Sequence, residues 1–224
     1  MATKRGCLSR IFLLLIIIGL ICGLTLFGFG YAQYREAINA TSLDVKVSQC
    51  RSDADYVTSQ EISPYFLEDI VAIEDKRFYE HGPVDPVALT RAVVTNIKEG
   101  GLSEGGSTIT QQVAKNLYFT NAKRFTRKIA EAFVARDLEE AYTKNEILEL
   151  YCNIIYFGQN SYGIKSAANT YFNKEPLYLT FDEAAVLAGI PQAPSAYNPI
   201  DNPEKSQDRT ESVMKILTEN GITP

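Results

Sequence analysis

Hydrophobic and polar positions divide the chain into two unlike parts. Ile11 to Gly30 is a 20-residue apolar run, and the 24 positions between Arg10 and Arg35 carry no charge. Twenty residues of helix reach about 30 Å, the thickness of a bilayer's hydrocarbon core, so the pattern predicts a membrane-spanning helix over 11–31. Further along, Ile147, Leu148, Leu150, Tyr151, Ile154 and Ile155, and then Ile164, Ala167, Ala168, Tyr171 and Phe172 recur at helical spacing and supply core faces. Punctuation agrees with that period. Ser63 before Pro64 and Asp85 before Pro86 place a capping side chain ahead of a proline at the first helical position. Thr143 with Glu146 and Thr180 with Glu183 form capping boxes, while Asn202 and Pro203 open a last helix that Asn220 and Gly221 close. The chain has no strand-rich region and no internal repeat, and a mainly α domain follows. Residues 32–60 show no strong period and are expected to be a connector with little structure. The predicted organisation is 1–10 cytoplasmic, 11–31 transmembrane, 32–60 connector and 61–224 the folded domain.

Charge adds direction to this picture. Lys4, Arg5 and Arg10 precede the apolar run, whereas only Arg35, beside Glu36, follows it closely. The positive-inside rule then leaves the N-terminus in the cytoplasm and the folded domain outside. A cleaved signal peptide is the competing reading, since Gly30, Tyr31 and Ala32 offer small residues at peptidase positions, but its apolar region is normally only about 7–15 residues long. Ile21 before Cys22 is a poor lipoprotein context. Past residue 34 the chain holds 19 basic against 27 acidic residues, which argues against a general nucleic-acid partner. At 224 residues, 46% of them hydrophobic, the chain allows one ordinary domain plus an anchor. Cys7, Cys22, Cys50 and Cys152 lack paired metal-type spacing and read as neither a zinc site nor a disulfide framework. A Cys50–Cys152 bridge requires an oxidising compartment.

Candidate chemistry collects in three places. A glycine-rich stretch from Gly100 to Gly106 leads through Ser107 and Thr108 into a helix with Thr110, Gln111, Gln112 and Lys115. Such a loop lets backbone N–H groups and hydroxyls approach a ligand, although flexible connections share the composition and no Gly-Lys-Ser/Thr completes a Walker loop. From Gly105 to Ala130 there is no acid, yet Lys115, Lys123, Arg124, Arg127 and Lys128 fall there. An anion or a lipid headgroup suits this stretch, and Leu117, Tyr118, Phe119 and Phe125 interleave with the charges. Glu74 and Asp75 end the apolar run at 70–73, just before Phe78, Tyr79 and His81, the single histidine. A carboxylate leaving an apolar helix can have a raised pKa and act as a base; the plain alternative is a solvated acidic pair. Glu131 lies four residues after Arg127 and three after Lys128, on one helical face with both. That spacing gives either an ordinary surface ion pair or a second carboxylate beside an anion site.

Read together, EDKRFYEH at 74–81, GSTITQQ at 106–112, RKIAE at 127–131, KNEILELYCN at 144–153 and AANTYF at 167–172 resemble the five motifs of the peptidoglycan glycosyltransferase domain. This is glycosyltransferase family 51, found in class A penicillin-binding proteins and in monofunctional enzymes. The resemblance runs in motif order from about Ser63 to Pro199, and APSAYNP at 193–199 also fits. The chain leaves no room for a transpeptidase domain, so it resembles the monofunctional kind.

The resemblance implies a mainly α, lysozyme-like fold of two lobes behind one transmembrane helix, and lipid II as substrate. By similarity Glu74 is the general base that deprotonates the 4-hydroxyl of the acceptor's GlcNAc as it attacks C1 of the donor's MurNAc, giving an inverted β-1,4 link. Undecaprenyl pyrophosphate leaves, and Ser107, Thr108, Gln111, Gln112, Lys115, Arg127 and Lys128, with Lys123 and Arg124, are implied to bind it. Glu131 assists departure directly or through a divalent ion, Mg2+ or Mn2+. Asp75, Phe78, His81 and Asn153 are supporting residues, with Phe78 a packing aromatic and Asn153 and Glu149 bracing helices. Implied partners are lipid II, the growing glycan strand and the membrane, with penicillin-binding proteins and other wall-synthesis proteins as candidates. Two departures stand out: Pro83 takes the place of the family's glycine two residues after the histidine, so the turn before Val84 is expected to differ, and Ala130 stands where some relatives carry a lysine. A lysozyme-like glycan hydrolase has no need of five basic residues near Glu131. A noncatalytic wall-synthesis scaffold predicts loss of one carboxylate, and both are present.

Overall fold

A computed structural model describes residues 2–99, 105–119 and 125–224, with side chains from residue 12 onward except at 99 and 125. Helix α1 (Ala2–Ala40) is 39 residues long, about 58 Å, so it exceeds any bilayer core. It contains one segment long and apolar enough to cross a membrane. Helices α2 (Leu43–Arg51), α3 (Pro64–Glu74) and α4 (Pro86–Glu99) follow. Then come α5 (Ile109–Tyr118), α6 (Phe125–Ala141), α7 (Lys144–Ile154), α8 (Ile164–Phe172) and α9 (Phe181–Gly189). The short α10 (Pro194–Tyr197) and the long α11 (Pro203–Glu219) complete the order. Among the described residues no β-strand forms; Tyr156 and Tyr162 make an isolated bridge. The fold is mainly α, as the period and the caps predict.

Local chemistry explains where the helices start. Thr143 and Thr180 each accept from the backbone N–H three residues on, and the glutamate there bonds back to the threonine N–H, closing both capping boxes. Asp85 Oδ1 accepts the Val87 N–H at 2.9 Å, which starts α4. The first turn of α3 is held differently from expectation: Ser63 does not cap it but donates its hydroxyl to the Leu179 carbonyl at 3.0 Å, tying α3 to the approach of α9.

The main core joins α3, α5, α6, α7, α8 and α9 through residues such as Phe66, Ile70, Phe78, Ile109, Leu138, Ile147, Tyr151 and Ile164, all fully buried. A smaller cluster of Phe181, Ala185, Val213 and Leu217 fixes α11 on α9, with Ala72 and Ile73 of α3 against it. The described thiols, Cys22, Cys50 and Cys152, are free, so Cys50 and Cys152 are not bridged.

Residues 32–60 depart from the expected unstructured connector. Helix α1 runs on to Ala40, α2 follows, and a 3-10 turn forms at Ser59–Glu61. The cause is tertiary packing, which carries most helix stability and leaves little local period to read. Phe27, Tyr31 and Tyr34 pack their rings on Phe133 of α6 at 5.2–5.6 Å, and the Tyr34 hydroxyl donates to Asp137 at 2.7 Å. Gly30 sits directly against α6. A Cβ there would lie 2.5 Å from Ile129 Cβ and 2.9 Å from the Thr126 carbonyl oxygen, so only glycine permits the approach. The irregular stretch before the 3-10 turn is pinned to α7. Asn153 bonds both the N–H and the C=O of Val57 at 2.8 Å, and Glu149 accepts from the Tyr56 hydroxyl and the Ser59 N–H at 2.8 Å.

Candidate active site

Glu74 is the last residue of α3, and the chain turns out of the helix at Asp75. That exit delivers the carboxylate to a cleft of about 350 Å3 between the end of α3, the start of α5 and α11. Glu74 Oε2 accepts from Gln112 Nε2 at 2.7 Å. Burial raises the Glu74 pKa above the usual carboxylate value and Asp75 adds to the rise, while the Gln112 hydrogen bond and the Arg209 charge oppose it. A half-sequestered carboxylate with a raised pKa is a competent general base near neutral pH.

Asp75 works through another element. Its Oδ2 accepts the N–H of Ile109 at 3.0 Å, and its Oδ1 pairs with His81 Nε2 at 2.7 Å. Ile109 opens α5, so a buried carboxylate from the end of α3 satisfies one of that helix's four free N–H groups and complements its dipole. The other ring nitrogen of His81 meets the Gly82 carbonyl at 2.6 Å. In this turn the Pro83 carbonyl accepts the Thr108 hydroxyl at 2.8 Å, and Arg77 closes the loop by pairing with Asp85.

The glycine-rich stretch is described from Gly105. Thr108 caps α5, accepting from the Gln111 N–H at 3.1 Å, while Gln111 Oε1 accepts from the Thr108 N–H at 3.1 Å. Both side chains are buried in this reciprocal cap, and Ser107, Thr108 and Gln112 line the cleft. Ser107 joins the cleft to α6, because Lys128 Nζ donates to its hydroxyl at 2.7 Å. Lys128 also lies 2.9 Å from Glu131 Oε2, and Arg127 Nε lies 2.9 Å from Glu131 Oε1. Glu131 is fully buried, and its two ion pairs are close in distance but misaligned as hydrogen bonds. The i, i+3 and i, i+4 spacing thus gives a sequestered carboxylate clamped by two cations.

Such a clamp does not suit a divalent ion on Glu131, because both oxygens already face positive charge and hard cations want several oxygen ligands. The grouping of Asp75, His81 and Asp85, whose donor atoms lie within 4.8 Å of one another, fits no better. Its carboxylates are engaged by the Ile109 and Val87 N–H groups, by His81 and by Arg77.

Lys115 is exposed on α5, one turn beyond Gln112. Lys123 and Arg124 lie outside the described residues, as do residues 100–104 of the glycine-rich stretch. Phe78 is fully buried, with the Lys144 ammonium 4.5 Å above its ring, so it packs as expected. Asn153 and Glu149 stand away from the cleft and brace the 56–59 segment. Arg209 went unread in the sequence. It reaches from α11 into the cleft beside Glu74, with its Nε donating to the Gly189 carbonyl at 3.3 Å and its guanidinium over the Tyr197 ring. Burial lowers its pKa, as expected for a cation held partly out of water. Its only local signal is one charge on an amphipathic helix; the packing of α11 on α9 and α3 brings it in.

A family model described as Transglycosylase matches residues 42–218. Penicillin-binding protein 1A of Neisseria flavescens is 52% identical over 160 residues, 71% of this chain and 20% of that protein. Penicillin-binding protein 1F of Bacillus subtilis (strain 168) is 47% identical over 165 residues, 74% of this chain and 23% of that protein. Penicillin-binding protein 1A of Aquifex aeolicus (strain VF5) is 45% identical over 170 residues, covering 75% and 23% respectively. The matched stretch therefore spans less than a quarter of each of these relatives.

Proposed function

The chain belongs to the transglycosylase family, and from that premise we propose that it is a peptidoglycan glycosyltransferase that polymerises lipid II into β-1,4-linked glycan strands with release of undecaprenyl pyrophosphate. The observation that carries the reading is the pairing of two unlike carboxylates across one structural unit. Glu74 opens to the cleft with a raised pKa, and Glu131 is buried between Arg127 and Lys128, of which Lys128 reaches the cleft through Ser107.

Each has a distinct task. Glu74 takes the proton of the acceptor's 4-hydroxyl as that oxygen bonds to C1 of the donor sugar. The bond from C1 to the pyrophosphate oxygen breaks on the opposite face, its electron pair leaves with the pyrophosphate, and configuration inverts. Lys128, Arg127 and the Ser107 hydroxyl meet the charge that develops on the leaving group, where preorganised donors are most effective. Lys115 extends the cationic rim. Glu131 holds Arg127 and Lys128 in place and keeps two like charges close together without a mobile counterion. Gln112 orients Glu74, Arg209 stabilises its ionised form, and Asp75 with His81 fixes α5 and therefore Gln112.

The anchor gives the reaction its location. Helix α1 spans the membrane with residues 1–10 in the cytoplasm, and the catalytic unit lies outside, where the lipid-linked substrate presents its sugars. Wall-synthesis proteins, penicillin-binding proteins among them, are the protein partners this placement favours. The test compares wild type, Glu74→Gln and Glu131→Gln on lipid II in detergent, with products resolved by size before and after muramidase. Polymer from wild type, a loss of at least 100-fold in Glu74→Gln and a smaller loss in Glu131→Gln are expected. Equal rates in all three would overturn the assignment.

A further inference from the structure

Glu139 of α6 is an acid without a part in the chemistry described so far. Its side chain is only 14% exposed, and one oxygen, Oε1, accepts both the Thr110 hydroxyl at 2.7 Å and the Lys144 ammonium at 2.6 Å. Thr110 lies in the first turn of α5 and is fully buried. Lys144 opens α7, and its ammonium also stands 4.5 Å above the Phe78 ring. Phe78 is tied back to the exit of α3, since its N–H donates to the Asp75 carbonyl at 2.8 Å. One carboxylate thus joins α5, α6 and α7 to the turn that follows Glu74.

The place of that bond on α5 has a mechanical consequence. Thr110 and Gln112 are two residues apart, about 200° round the helix, so they point to opposite sides. Thr110 faces Glu139, and Gln112 faces Glu74, to whose Oε2 it donates at 2.7 Å. Beyond its cap α5 buries Ile109, Val113, Ala114 and Leu117. Apolar contact is non-directional, so it resists separation of helices more than rotation. Asp75 grips the Ile109 N–H close to the helix axis, where it fixes the height of α5 better than its rotation. A side-chain tip lies about 5–6 Å from the axis, so a rotation of about 10° carries it about 1 Å, enough to break a hydrogen bond. A mostly buried carboxylate paired with a lysine is a weak source of stability, whereas its hydrogen bonds are strict in direction.

We propose that Glu139 is a positioning residue: through Thr110 it fixes the rotation of α5 and so aims Gln112 at the Glu74 carboxylate. Its effect on catalysis rests on the polymerase reading above, because it is exerted through Glu74. Two restraints then set the partner of the base, Asp75 along α5 and Glu139 about it, and both are tied to the turn that carries Phe78. The groups that act on Glu74 directly are Gln112 from α5, Arg209 from α11, Asp75 from its own turn and the buried Tyr151 hydroxyl of α7. Thr110 is not among them and carries no charge, so its influence on Glu74 passes through α5.

The test is a double-mutant cycle on lipid II in detergent. Thr110→Val keeps the shape of the side chain and removes the hydroxyl; it should lower kcat about tenfold with KM within about twofold of wild type. Gln112→Ala should lose at least as much, and adding Thr110→Val to it should cost less than about twofold more, since the two act through one hydrogen bond. Glu139→Ala should reproduce the loss, and Glu139→Gln, whose amide oxygen can accept the same bonds, should restore most of it. Equal losses from Thr110→Val with and without Gln112, or wild-type activity in Thr110→Val, would overturn the proposal. A second readout needs no polymer. The carbon-13 shift of the Glu74 carboxyl, identified by its absence in Glu74→Gln, is titrated in protein labelled at glutamate. The Gln112 hydrogen bond lowers the Glu74 pKa, so Thr110→Val and Gln112→Ala should each raise it, and the double variant no further. An unmoved titration in Thr110→Val beside a raised one in Gln112→Ala would refute the positioning role. Wild type that makes no polymer, with the titration still moved by Thr110→Val, would refute the polymerase reading and support the positioning role.

Discussion

Asp69 offers a sharp test of the packing described for α3. It lies three residues after Phe66 and four before Ile73, on the buried face, with no exposure and with neither carboxylate oxygen hydrogen-bonded. Burial, with a smaller contribution from Glu68, pushes its pKa from 3.8 to about 7. The sign follows from proton counting. Between those values the unfolded chain gives up the Asp69 proton while the folded chain keeps it, so stability falls as pH rises, by about 1.4 kcal/mol per unit. Below 3.8 the penalty is absent, and above about 7 it is complete. From pH 5 to pH 8 the expected loss is about 2–3 kcal/mol, allowing for relaxation around the ionised group. Asp69→Asn keeps the shape and removes the proton. Urea unfolding of both proteins in detergent at pH 5, 6, 7 and 8 should show the variant gaining about 2–3 kcal/mol on wild type across the series. A stability difference that stays constant with pH would refute the claim that Asp69 is buried without a partner.

Other consequences are equally direct. Gly30→Leu should force α1 from α6 and lower the melting temperature in detergent, at an overpacking cost of about 1–3 kcal/mol, whereas Gly28→Leu, with nothing within 4 Å, should leave it unchanged. Equal effects would contradict the close crossing. Asn153→Ala removes three hydrogen bonds of 2.8 Å and strands both backbone groups of Val57, so chemical denaturation should register a loss of about 2–4 kcal/mol. Since the base proposed at Glu74 acts only when ionised and its pKa is raised, kcat/KM should fall on the acid side at a pH above the ordinary carboxylate range. Arg209→Met removes a charge that lowers that pKa and should move the acid limb further upward; an unmoved limb would separate Arg209 from Glu74.

Much of this architecture is written in short-range signals. Capping boxes at Thr143 and Thr180, the prolines at 64, 86 and 203, and the close of α11 at Asn220 and Gly221 are local chemistry, so the helices they bound could be read directly. The spacing of Arg127, Lys128 and Glu131 likewise foretold one shared face. What escaped depends on distant contacts. The helices within 32–60 are stabilised by α6 and α7 rather than by their own period. Thr108 and Gln111, implied as ligand contacts, also cap α5, a structural task that the motif alone does not reveal. Asp75 read as half of an acidic pair, yet it anchors the start of a helix whose first residue is Ile109. Arg209 reaches Glu74 only because α11 folds back over α9. Asp69 carried no signal, since an acid next to Glu68 reads as solvated surface.

The most direct measurement adds purified wild type to lipid II and follows glycan polymer and undecaprenyl pyrophosphate together over time. Muramidase-sensitive polymer is expected, with one undecaprenyl pyrophosphate released for each new β-1,4 link. Folded protein that releases no pyrophosphate and forms no polymer would contradict it.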